Sequence, residues 1–302
     1  MRDKLTSYGG QAVIEGVMMR GAEGVAIAMR APDSNIVIHT EPLSSIYKSK
    51  IIRIPFLRGL IALWDAIGLG TRALTISANI QTEEEEELEG PGLYISLGVS
   101  MTVAVVIFFL SPALVGYVIE KLIDSNAAAW IGNLVEGLVR LILLVGYIWL
   151  IGRIPDIRRV FSYHGAEHKT INAYEDGADL TPASVANYSV EHPRCGTAFL
   201  LTLVVFSIIL FSLLGPLPIG LRLASRILLI PVLAGFAYEY IRWTSRHMDS
   251  KVVQTIVKPN LALQHLTTRE PDLDMLEVSI AAFNAMISQE EPEPNEDSLL
   301  NL

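Results

Sequence analysis

GPGLYISLGVSMTVAVVIFFLSPALVGYVI, residues 90–119, carries no charged side chain. About 20 apolar residues suffice to cross a bilayer, so this run alone predicts a membrane span. Pro112 predicts a kink within it. Three more candidates follow outward from it. Residues 127–151 are apolar apart from Glu136 and Arg140, which stand i, i+4 with the acid first, the favourable order for a helical pair. They read as a structural ion pair near the outer interface. Residues 196–221 are again uncharged, with Pro216 and Pro218 marking a turn after a third span. A fourth runs over 223–241, with Arg222 and Arg226 snorkelling at one end and Glu239 with Arg242 at the other. The expected fold is an α-helical integral membrane protein with about four transmembrane helices.

Composition agrees. Of 302 residues 51% are hydrophobic, and the mean hydropathy is +0.41, high for a soluble domain. The net charge of −9 argues against a nucleic-acid partner. The first twelve residues hold no apolar run, so no cleavable signal is expected. The clusters Arg153, Arg158, Arg159 and Arg194, then Arg242, Arg246 and Lys251, outweigh Lys121, Arg222 and Arg226 on the other side. The excess puts both termini in the cytoplasm of a multi-pass inner-membrane protein.

The flanking segments read as follows. Residues 1–50 form a cytoplasmic block, glycine-rich over 9–21, then a small β-hairpin from Val25–Arg30 and Asn35–Thr40 around a Pro-Asp-Ser-Asn turn. The glycine-rich part reads as a packed, turn-rich segment, and His39 as a surface residue. Residues 51–81 interrupt an apolar run with Arg53, Arg58, Asp65 and Arg72, which fits an interfacial or re-entrant pair of amphipathic helices. Residues 82–91 are an acidic linker, 92–242 the membrane domain, 243–288 a cytoplasmic helical segment and 289–302 a disordered acidic tail.

The chemistry concentrates in the 152–195 loop, at His164-Gly165-Ala166-Glu167-His168. Histidines four apart share one face of a helix and can hold one ion. The order His-x-x-Glu-His is the inverted zincin pattern, in which the histidines bind zinc and the glutamate handles a proton. Glu175 lies roughly 10 Å along the axis from His168, so a straight helix cannot bring it to the same ion. His192 and Cys195, three apart, offer a nitrogen and the chain's one thiol to complete the shell. The expected ligands are therefore His164, His168 and His192 or Cys195. Glu167 is the expected base, and Glu15, Arg20, Glu175 and Arg194 surround them. The competing reading is a hydrogen-bonded polar cluster around a plain buried thiol.

Six blocks together resemble a known family. They are GGQAVIEGVMMR at 9–20, PFLRG at 55–59, YHGAEHK at 163–169, HPRCGT at 192–197, Tyr-Glu at 238–239 and QHLTTREP at 264–271. They are similar to the YqhQ family of bacterial membrane proteins, domain-of-unknown-function family 1385. The resemblance covers all but the acidic linker and tail, and implies a metal-dependent enzyme without naming a reaction. Two functions stay open at this point. One is a hydrolase using zinc or another divalent transition metal on a membrane-associated substrate. The other is a non-catalytic scaffold or regulator in which the His/Cys cluster is structural. A small transporter is third, and would need a homo-oligomer. Membrane lipids and a membrane-associated substrate or protein are the expected partners.

Overall fold

A computed structural model describes residues 8–43, 54–82, 90–123 and 127–290. Four strands open it, β1 (Gly9–Val13), β2 (Gly16–Arg20), β3 (Gly24–Arg30) and β4 (Ile36–Pro42), in one antiparallel meander. The expected hairpin is β3–β4, and the glycine-rich block is a second hairpin rather than a turn-rich segment. Its register pairs Val13 with Gly16, leaving a two-residue turn in which Glu15 has a left-handed φ of 52°.

Both faces of the sheet are covered, which is why β2 shows no alternation in sequence. Val17, Met19, Ala26 and Ala28 face one core, shared with helices α5 (Pro155–Glu175) and α11 (Leu273–Ile287). Met18, Val25, Ile27 and Met29 face another, built on Ala73, Leu69 and Ile76 of α1 (Leu57–Gln81). That α1 is one helix corrects the expected helix pair. Its first turn is pinned by Arg58 on Glu239 and by the Phe56 amide, which donates to Glu239 at 3.0 Å. Arg72 reaches Glu41 on β4 at 2.9 Å. Residues 83–89 of the linker and 291–302 of the tail lie outside the described residues. Glu290, assigned to the tail, is docked: it accepts from the Tyr8 hydroxyl at 3.0 Å and the Ala22 amide at 2.5 Å.

Among the described residues, three helices are long and apolar enough to cross a membrane: Pro91–Leu122, Ala128–Ile151 and Gly196–Leu213. A fourth is made if α8 (Ile219–Leu228) and α9 (Ile230–Arg246) count as one span bent by 43°. The first comprises α2 (Pro91–Val105), a π-turn (Val106–Leu110) and α3 (Ser111–Leu122). Proline cannot donate to the carbonyl four residues back and crowds it. For Pro112 that carbonyl is Phe108, inside the π-turn, and Arg140 of α4 (Ala128–Ile151) donates Nε to it at 2.9 Å. The expected kink is thus a local π-turn whose freed carbonyl has a partner.

The bundle corrects one reading and extends another. Arg222 and Arg226 do not snorkel; both are buried, on Glu136 and Asn133 of α4. Glu136 and Arg140 do form the expected ion pair, at 2.9 Å, but deep in the bundle and shared with Arg222 and Arg226. Glu136 and Arg140 are each 1% exposed, and Arg140 lies roughly 18 Å from the start of α4 by helical rise. Beyond the bundle, the segment 243–288, expected to be helical, holds two helices, α10 (Lys251–Thr267) and α11, separated at Thr268–Asp272.

Candidate metal centre

α5 starts on Pro155 with Asp156 in its first turn, favourable for a helix N-terminus. It then runs unbroken to Glu175 and puts His164 and His168 on one face, ring centroids 4.4 Å apart. Each ring is oriented by a backbone carbonyl. His164 Nδ1 lies 2.9 Å from the Thr267 carbonyl, and His168 Nδ1 lies 2.6 Å from that of Val190. A carbonyl can only accept, so both Nδ1 atoms carry the proton and both Nε2 atoms present a lone pair. His168 Nε2 is buried and has no hydrogen-bond partner among the described residues. His164 Nε2 stands 3.2 Å from Cys195 Sγ.

Cys195 caps the first turn of α7 (Gly196–Leu213), accepting from the Thr197 amide at 3.4 Å, with Thr197 Oγ1 at 3.1 Å. The ligand atoms of His164, His168 and Cys195 all lie within 4.8 Å of one another. Ligands on tetrahedral zinc stand roughly 3.3–3.6 Å apart, from Zn–N and Zn–S bonds of about 2.0 and 2.3 Å. The set is therefore close to a zinc shell and needs only small side-chain movement. A buried lone pair without a donor and carbonyl-fixed tautomers fit a metal centre better than a polar surface cluster.

The other expected residues fall around this triad. His192 is not in it: its ring is 5.6 Å from that of His168, and its Nε2 is 3.9 Å from Glu175 Oε2 and also unpartnered among the described residues. Burial pushes the His192 pKa down, favouring the neutral ring. Glu175 pairs with Arg194 instead of approaching the triad. Glu167 is buried with Oε2 3.9 Å from His164 Nε2. Burial raises its carboxyl to about 7, against the lowering effects of His164 and the Gly10 amide. A Cβ on Gly10 would come within 2.9 Å of Glu167 Cγ, so β1 approaches the acid only because it carries glycine there. Glu15 binds Arg159 through both oxygens at 2.5 Å and accepts from Tyr163 at 3.3 Å. It thus holds the turn before the triad rather than a ligand, and the Arg159 bonds keep its carboxyl below the usual range. Arg20 ends β2, in register with Gly9.

The supporting groups were not singled out from sequence. Gln264 clamps the His192 backbone, accepting from its amide at 2.9 Å and donating to its carbonyl at 2.8 Å. Buried Lys169 donates to the carbonyls of Ala186 and Tyr188 at 2.8 and 2.7 Å, and Asn172 to those of Ser189 and Glu191. Together they hold the loop that presents the Val190 carbonyl. Gly165 leaves room for the Arg269 carbonyl, and Arg269 donates its amide to Phe161 O at 2.9 Å. The one available signal was that Lys169 and Gly165 fall inside the YHGAEHK block and Gln264 and Arg269 inside the QHLTTREP block, whereas Asn172 lies outside both.

The sequence profile described as "Protein of unknown function (DUF1385)" matches residues 54–289. The chain is 36% identical over 299 residues to "Uncharacterized protein YqhQ" of Bacillus subtilis (strain 168), covering 94% of this chain and 93% of that one. No solved structure matches. On these two matches, the chain belongs to the DUF1385 family.

Proposed function

We propose that this chain is a multi-pass membrane protein that holds a divalent transition metal, zinc by its ligand chemistry, on His164, His168 and Cys195, and hydrolyses a membrane-associated substrate there. The observation that carries this is the triad itself: two imidazole lone pairs and one thiol converge, with a buried acid beside them. Three protein ligands leave a position for water, as in catalytic rather than structural zinc sites. Bound zinc would supply a water of lowered pKa. Glu167 then accepts that proton at a carboxylate oxygen, while the Thr267 and Val190 carbonyls keep both histidines in the metal-binding tautomer. The second reading is a structural clip joining α5 to the start of α7. It is favoured by the burial of His168 and Cys195, at 1% and 5% exposure.

Packing supports the membrane part. The sheet, α5 and α11 share one core, so they lie on one side of any membrane the chain crosses. The chain must then cross an even number of times between residues 43 and 155, and again between 175 and 273. The helix α2–α3 with α4 gives two crossings, and α7 with the bent α8–α9 gives two more, while α1 adds none. The Lys/Arg bias makes the shared side cytoplasmic, and so also the metal centre. Single cysteines placed at Asn126 and Gly220 are expected to react with an impermeant thiol reagent from the side opposite the triad. Reaction only from the triad side would sink the four-span reading.

For the activity, Glu167→Gln is expected to keep its metal, measured by elemental analysis, and to lose turnover of lipid-linked esters, phosphodiesters or peptides by two to four orders of magnitude, roughly the worth of one general base. Loss of metal instead would make Glu167 a ligand. If zinc-loaded wild type in native lipids cleaves none of these, the structural reading stands.

A further inference from the structure

The bundle holds a second cluster, at the opposite end of α7 from Cys195. Ser207 lies 12 residues, roughly 18 Å of helix, from that cysteine. The cluster contains three guanidinium groups, Arg140, Arg222 and Arg226, each with a side chain 2% exposed. Against them stand two carboxylates: Glu136, 1% exposed, and Glu120, 13% exposed. Three positive charges and two negative ones leave one positive charge unbalanced among the described residues. An unbalanced charge in a dry interior is costly, and buried charges are ordinarily paired.

The hydrogen bonds show the same surplus. Arg140 uses three of its five N–H bonds, on Phe108 O, Ser207 Oγ and Glu136 Oε1. Arg222 uses at most four, counting two weak contacts of 3.4 Å to Glu136 with those to Glu120 at 2.5 Å and Asn133 at 2.9 Å. Arg226 also uses four, on Glu136, Asn133 and Ser225. Every nitrogen of the three makes at least one bond, but with five N–H bonds per guanidinium four N–H bonds remain without an oxygen among the described residues. Stacking over the Phe211 ring, at 4.1 Å for Arg226 and 5.3 Å for Arg140, occupies the faces of two guanidiniums and not their N–H edges. One positive charge and four N–H bonds are thus left over within this cluster, a set of the right sign and geometry for an oxyanion.

We propose that this cluster binds a phosphate-type oxyanion, either inorganic phosphate or the phosphodiester of an anionic lipid. Guanidinium forks match tetrahedral oxyanions two oxygens at a time, which a spherical anion cannot exploit. Glu120 is the most exposed member and holds Arg222 Nη1, so it competes with the ligand for that fork. The site is independent of the metal centre, and its failure would leave that reading untouched.

The test uses the full chain purified in a neutral detergent, with melting followed as phosphate is titrated against chloride at equal ionic strength. A second arm compares vesicles of phosphatidylcholine with vesicles containing phosphatidylglycerol. Phosphate or phosphatidylglycerol is expected to raise the melting temperature where chloride does not. A rise with phosphate in phosphatidylcholine assigns the free ion; a rise with phosphatidylglycerol alone assigns the lipid. Glu120→Gln is expected to tighten binding about tenfold, since it removes the competing acid, and Arg222→Gln to weaken it by about tenfold or more. If Arg222→Gln does not fold, Arg222→Lys keeps the charge, loses the fork and is expected to weaken binding in the same direction. A purely structural cluster responds to no anion, and Glu120→Gln then only destabilises. Either result overturns the proposal.

Discussion

Protein carrying His168→Ala is expected to purify without the metal that wild type retains. His168 is less exposed than Cys195, at 1% against 5%, and its Nε2 has no hydrogen-bond partner among the described residues to fall back on. Removing it leaves His164 and Cys195, two ligands 3.2 Å apart, which cannot enclose an ion. Loss of an outer-shell partner alone costs roughly 10–100-fold in metal affinity, so loss of a ligand is expected to exceed about 100-fold. At a zinc concentration about 100 times the wild-type Kd, the metal contributes about 2.7 kcal/mol of stability, and the variant forfeits it. The measurements are metal content after purification without chelator, and melting with and without added zinc. If wild type holds no metal and zinc leaves its melting temperature unchanged, the histidines are ordinary hydrogen-bonding residues.

The second large effect is expected at Glu136. Its two oxygens serve all three buried guanidiniums: Arg140 at 2.9 Å, Arg226 at 2.7 and 2.8 Å, and Arg222 at 3.4 Å. Glu136→Gln keeps the shape and removes the charge, leaving three cations around a neutral amide. Breaking a buried pair by removing one partner costs about 3–5 kcal/mol, a large share of the roughly 5–15 kcal/mol that holds a typical fold. The variant is expected to accumulate poorly and to melt far below wild type. Ser207→Ala removes only one neutral acceptor from Arg140 and is expected to cost about 1–3 kcal/mol. Equal melting temperatures for Glu136→Gln and wild type would show that the cluster bears no strain on folding.

Much of this architecture could be read from one dimension, and the exceptions have physical causes. The uncharged runs marked the candidate spans because a helix in lipid needs apolar residues on every side. The His164–His168 spacing placed both rings on one face because helical geometry is local. By contrast, β1 and β2 were missed because the sheet is covered on both faces, so Gly-Val-Met-Met-Arg at 16–20 has no polar side to alternate. Arg222 and Arg226 were read as snorkelling because they sit at the end of an apolar run. Whether α8 turns that face outward or toward Glu136 depends on tertiary packing. A signal existed: Arg222 and Arg226 stand i, i+4, as Glu136 and Arg140 do, so two charged helix faces were waiting for each other. The carbonyls of Thr267 and Val190 orient the histidines with backbone atoms, which every residue carries, so side-chain identity says nothing about them.

The covering of the sheet by α11 also sets a timetable for the ribosome. Residues 9–42 are made early, yet Val17, Met19, Ala26 and Ala28 bury against Leu276, Phe283 and Met286, among the last described residues to be made. At about 5–20 residues per second, some 12–50 s separate the two. All four proposed crossings are made in that interval, while the part of this face that α11 covers waits in water. On the four-crossing reading, a nascent chain stopped before residue 273 would carry a sticky, incompletely covered sheet beside the membrane. Chains released early are expected to be cleared by proteases or held by chaperones, and the candidate metal cluster is complete only once Thr267 has been made to orient His164.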